Sequence, residues 1–204
     1  MDVQKMTSMA GKLETFFKVM QRIVGIAVIV VLCVLTALTV ANAVNPDTVI
    51  GTGFNVLEIG GVSIELEEAY APDNTAVLWY AWGYAVVGAL WGGCLYVGMG
   101  YLRKMLLPMA EGQPFHPETA GLIRKLAVLS LILGVVDNAG GFLEAVSAVW
   151  LFKLDALQDV GAIRSVTVEH SFDLSFVVVF FVLLLISCVF AYGAQLQQLS
   201  DETL

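Results

Sequence analysis

Asp137, Asn138 and Glu144 are the residues with chemistry to offer, because they interrupt an apolar run, 126–151, that carries no other charge. A carboxylate inside a membrane-length apolar segment is costly, so it is expected to face a bundle interior or a water-filled cavity. Asp137 lies 12 residues past Lys125, about 18 Å along a helix. Glu144 is seven residues further and returns to nearly the same face, with Gly141 between them. No Lys, Arg or His lies in any apolar run to pair with these acids, so burial would favour their neutral, hydrogen-bonding forms. Two chemistries fit: a proton or cation site, or a satisfied polar cluster where Asn138-Ala139-Gly140-Gly141 loosens the helix.

The elements that must position these residues are four apolar runs, 23–44, 76–102, 126–151 and 172–194. Each is long enough to cross a hydrocarbon core as a helix, which takes about 20 residues. The composition agrees: 58% of the 204 residues are apolar and 14% are charged, where a soluble domain carries about 25% charged residues. The expected fold is therefore an all-α membrane protein, a four-transmembrane-helix bundle forming a single domain over 1–204. Eight of the ten basic residues fall in the N-terminal segment and in the loop 103–125; only Lys153 and Arg164 fall elsewhere. Basic residues mark the cytoplasmic side, so both termini are expected there. Trp79, Tyr80, Trp82 and Trp150 then sit at outer span ends, and Tyr101 and Tyr192 near inner ones, as an aromatic belt would place them. The run Ala41-Asn42-Ala43 resembles a cleavage site, but the long segment before the first apolar run argues for a retained span.

The loops have structure of their own. Val56-Leu57-Glu58-Ile59 and Val62-Ser63-Ile64-Glu65 flank Gly60-Gly61, which predicts a β-hairpin in the outer loop 45–75. The alternation over 163–169, in the outer loop 152–171, offers a further strand. The acids outnumber the bases in these loops, so the outer face is negative. In the segment 5–20, Met6, Met9, Leu13, Phe16, Phe17 and Met20 share a helical face. That segment either lies along the headgroups or extends the first span. In the inner loop, Gly112-Gln113-Pro114-Phe115 makes a turn, and Pro117 and Glu118 open the third helix. Arg103, Lys104, Pro114, Phe115, Arg124 and Lys125 make this loop the candidate surface for a partner.

Several classes have no support in the sequence. A net charge of −8 argues against direct nucleic-acid binding. No nucleophile motif, metal-ligand spacing or cofactor fingerprint is present, so neither an enzyme nor a bound metal or cofactor is expected. Cys33, Cys94 and Cys188 lie in apolar runs and read as small buried residues. Ala81, Ala85, Ala89 and Gly93, with Gly88 and Gly92 beside them, let another helix approach span two closely. Packing within the chain and a homo-oligomer both use such a stripe.

The patterns Tyr101-Leu102-Arg103-Lys104, Gly112-Gln113-Pro114-Phe115, Leu122-Ile123-Arg124-Lys125 and Tyr192-Gly193-Ala194-Gln195-Leu196-Gln197, together with the closing Ser200-Asp201-Glu202-Thr203-Leu204, resemble an uncharacterised bacterial family of four-helix membrane proteins. Asp137, Asn138 and Glu144 depart from its pattern. The family is a domain of unknown function often encoded beside a small Cro-like helix-turn-helix regulator. The resemblance implies a bacterial inner-membrane protein with a regulatory or sensory role and such a regulator as cytoplasmic partner. The alternative is a transporter or channel subunit with an intramembrane carboxylate site.

Overall fold

The structure, a computed structural model, describes residues 3–45, 56–59, 62–65, 72–112, 115–151, 153 and 171–202. In order these form α1 (Val3–Val44), β1 (Val56–Ile59), β2 (Val62–Glu65), α2 (Asn74–Ala110), α3 (Pro117–Leu151) and α4 (Ser175–Glu202). All four helices are long and apolar enough to span a membrane, and the protein is a multi-pass membrane protein on that ground.

Four of the helix ends are set by local chemistry. At α2 the Asp73 carboxylate accepts a hydrogen bond from the Ala76 amide at 2.6 Å, an N-cap. The His116 Nδ1 accepts from the Glu118 amide at 3.3 Å, with Pro117 at the first helical position where its missing N–H costs nothing. Asp173 accepts from the Ser175 amide at 2.8 Å and from the Ser175 hydroxyl at 2.8 Å. The backbone hydrogen bond first, and the hydroxyl second, hold the Asp173 carboxyl below the usual carboxylate range. The contribution of this cap is therefore present above the usual carboxylate range and is lost as pH falls below it, through the lowered value. The α2 helix ends where Gly112 adopts φ +85°, a left-handed conformation that glycine takes without strain.

The 42-residue α1 is one continuous helix, about 63 Å long and so longer than a bilayer core of about 30 Å. The N-terminal segment is continuous with the first apolar run in this helix. Its apolar residues Met9, Leu13 and Phe16 are exposed. Inside α1 the hydroxyls of Thr36 and Thr39 donate to the carbonyls of Leu32 and Leu35 at 2.7 and 2.8 Å, which satisfies them where no water is present.

β1 and β2 pair antiparallel with Leu57 opposite Ile64 and Ile59 opposite Val62. The expected turn at Gly60-Gly61 and the expected strand at 163–169 lie outside the described residues.

The chain divides into two compact units. The first comprises Met1–Val28, Leu90–Val136 and Asp173–Leu204. There α4 runs antiparallel to α3: the Ser187 hydroxyl donates to the Ala120 carbonyl at 2.9 Å, and Phe176 packs on Gly134. Gly92 is also in this unit, where an added Cβ would come within 2.7 Å of Val28. The second comprises Ile29–Ala89 and Asp137–Phe172, with Val77, Leu78, Ala85 and Leu151 buried. Within the span-two stripe Ala85 and Gly92 are thus taken up by packing inside the chain, while Gly88 and Gly93 have open space around them.

Long apolar side chains are exposed along every helix, because lipid, unlike water, does not drive them inward. The same reason corrects one expectation. Cys33 and Cys188 are exposed and only Cys94 is half-buried.

Candidate functional site

In the first unit, α2 meets α1 through a polar network as well as through the close contact of Gly92 with Val28. The Arg103 guanidinium donates from Nε and Nη2 to Glu14 Oε1 at 3.0 and 2.9 Å, and from Nη1 to Gln21 Oε1 at 3.0 Å. Gln21 in turn donates to the Tyr96 carbonyl at 3.0 Å. Arg124 donates to the Ser187 hydroxyl at 3.2 Å, and the Lys125 ammonium sits 5.8 Å from the Tyr101 ring centroid. Phe115 packs on Phe190 with centroids 5.7 Å apart. Of the six residues expected to form a partner surface, Arg103, Phe115, Arg124 and Lys125 are thus engaged with their own chain. Lys104 is exposed, and Pro114 lies outside the described residues.

What this packing leaves open is a groove of about 570 Å³ where α3 begins and α4 ends. Phe115, His116 and Ala120 line one side, and Ala194, Gln195 and Gln198 the other. The sequence pointed to the loop but not to α4 as its second wall. The cue available was the run of glutamines after Ala194, polar groups in an otherwise apolar helix.

The second unit holds the acids of α3, and here the expectation of an inward-facing pair is corrected. Asp137 and Glu144 are both exposed, and Asn138 is half-buried. The two acids share a helical face, as their spacing requires, but α3 turns Gly140 toward Val87 instead. Glu144 nevertheless has a neighbour that a search for bases overlooked: Tyr84 lies near enough to interact electrostatically with its carboxylate and with Tyr80. Tyr80 and Tyr84 pack with centroids 4.7 Å apart and their rings tilted by 50°, as i, i+4 neighbours on a helix can.

Comparison with protein-family profiles, curated proteins and solved structures finds no match. The chemistry of the site must carry the argument by itself.

Beside the tyrosines, α2 and α3 form a half-open cavity of about 180 Å³, lined by Trp79, Tyr80, Tyr84, Leu143 and Trp150. Gly83 and Gly140 open it by having no side chain. A second hollow of about 450 Å³ lies between Thr39, Asn42, Leu78 and Trp82. Trp82 donates to the Thr39 hydroxyl at 2.9 Å, while the buried Asn42 Oδ1 has no partner.

Exposure of Asp137 reverses the expected effect of removing it. A buried, bonded carboxylate would strand its partners when replaced by leucine. Exposed at span depth, it costs about 2.5–3.5 kcal/mol of insertion free energy. Asp137→Leu should therefore raise membrane yield and thermal midpoint, with Asp137→Asn in between. A lower midpoint for the leucine variant in native membranes would mean that the carboxylate is covered and bonded there.

Proposed function

We propose that this protein is a regulatory or sensory protein of the bacterial cytoplasmic membrane that binds a soluble cytoplasmic partner, such as a small helix-turn-helix transcription regulator. Both termini and the α2–α3 loop face the cytoplasm in this reading, which rests on the distribution of Lys and Arg. The hairpin β1–β2 then lies on the outer side as part of a small cover over the helix ends. The resemblance to the four-helix family encoded beside such regulators points the same way.

The observation that carries partner binding is the groove between the start of α3 and the tail of α4. Its volume of about 570 Å³ falls in the range of pockets that hold a ligand or an anchoring side chain, about 300–1,000 Å³. Phe115 and the alanines offer apolar contact, and Gln195, Gln198 and Glu202 offer hydrogen bonds, the mixture a soluble protein segment requires. Transport by the chain alone has less support, since Asp137 and Glu144 are exposed rather than turned into a lined path.

The test pairs orientation with occupancy. Reporter fusions at residues 112 and 204 should read as cytoplasmic, and fusions at 62 and 160 as outside. Affinity purification of the detergent-solubilised protein from its own cells should bring down a soluble partner. Ala194→Trp, which fills the groove, should cut that recovery about tenfold while insertion is kept. Unchanged recovery of the partner with this variant rejects the groove as the binding surface. An outside reading at residue 204 rejects the orientation.

A further inference from the structure

We infer that the aromatic cavity between α2 and α3 in the second unit binds a quaternary ammonium group. The inference does not depend on the regulatory reading. Four aromatic side chains, Trp79, Tyr80, Tyr84 and Trp150, contribute to one cavity of about 180 Å³. A cavity of about 150 Å³ accommodates benzene, so the space suits a trimethylammonium head.

Membrane-interface anchoring accounts for Trp79 and Trp150, which are 70% and 61% exposed at the ends of their apolar runs. It does not account for Tyr84, which lies more than two helical turns inside α2. Nor does it account for Gly83 and Gly140, which create the hollow between the rings.

Ring faces attract cations through their quadrupoles, most strongly where water is excluded. A negative group behind the rings adds to this attraction. Glu144 is that group: it lies near Tyr84, one residue from the cavity-lining Leu143.

The hydrogen-bonding state of the lining selects the kind of cation. The Ser147 hydroxyl is committed to the Glu144 carbonyl at 3.1 Å. A primary ammonium would bring three N–H donors that each need an acceptor, and a lining made chiefly of aromatic rings and aliphatic carbon offers few. A methylated cation needs none. Its source is either a soluble compound such as choline or the headgroup of phosphatidylcholine, whose chemistry at this position is the same.

The experiment uses the full chain in phosphatidylglycerol nanodiscs, titrated calorimetrically with choline and with 3,3-dimethylbutanol, its neutral isostere. Choline should bind saturably with a Kd on the order of 1 mM, and the isostere about tenfold more weakly. Glu144→Gln should weaken choline about threefold and Trp150→Leu about tenfold. Gly83→Leu should abolish binding by filling the cavity. An added Cβ at Gly83 meets nothing within 4 Å, so this variant should keep the wild-type melting temperature. In phosphatidylcholine nanodiscs, weaker choline binding identifies the lipid headgroup as the occupant, and unchanged binding identifies the free cation. Either result places the cation in the cavity. Failure of choline to saturate, equal binding of the isostere, or wild-type binding by a folded Gly83→Leu variant would overturn the proposal.

Discussion

Gly134→Leu should remove most of the well-folded protein from detergent extracts, the largest loss expected from any single substitution in the apolar runs. Gly134 is where α3 admits α4. A Cβ built there would overlap the Cβ and ring of Phe176, so even alanine does not fit without movement. Close helix approach in lipid depends on such small residues, because van der Waals packing replaces the hydrophobic drive that operates in water. Overpacking a tight contact costs about 1–3 kcal/mol, and a branched side chain against a ring near its backbone belongs at or above the top of that range. The check is the monodisperse fraction and thermal midpoint of Gly134→Ala and Gly134→Leu, each with and without Phe176→Ala. Phe176→Ala should restore Gly134→Ala to within about 1 kcal/mol of its own single-variant stability. Strictly additive losses would show that the two residues do not meet.

Arg103→Glu should produce the second largest effect. Arg103 joins Glu14 and Gln21 of α1 from α2, and the Arg103 and Glu14 side chains are 30% and 19% exposed. An exposed pair contributes little, about 0–1 kcal/mol. Breaking a buried pair costs about 3–5 kcal/mol. Partial burial and the shared Gln21 place this network between those limits, so reversal of Arg103 against Glu14 should cost about 2–3 kcal/mol. The charge swap Glu14→Arg with Arg103→Glu should recover at least half of the loss, as read by a double-mutant cycle on thermal midpoints. A swap no better than the sum of its single variants would mean that the pair is incidental to helix packing.

These two contacts illustrate why the fold class was legible and the site was not. Crossing a membrane is a property of composition summed over about 20 residues, and the four runs state it without reference to one another. Helix ends were legible for a related reason. Pro117 and Glu118 after His116, and Gly112 after Ala110, act through their own backbones. Partnerships between helices have no such local sign. The spans are apolar on nearly every side, so they lack the polar stripe from which a buried face is read. Asp137 shows the consequence: its depth followed from counting residues, but its exposure depended on which face α3 turned to α2. Glu144 and Tyr84, 60 positions apart in the sequence, share nothing in it that announces their proximity.

The sequence by itself determined the membrane class and four apolar spans, because each follows from local chemistry and from the cost of leaving backbone polar groups unbonded in lipid. Only the tertiary structure decided that Arg103 and Arg124 bond to their own chain, that the tail of α4 completes a groove with Phe115 and His116, and that Tyr80, Tyr84, Trp79 and Trp150 surround a hollow. Those outcomes depend on shape matching between helices, chiefly where glycine at 83, 134 and 140 leaves or fills space. That matching is a property of pairs of surfaces, which no single stretch of residues contains.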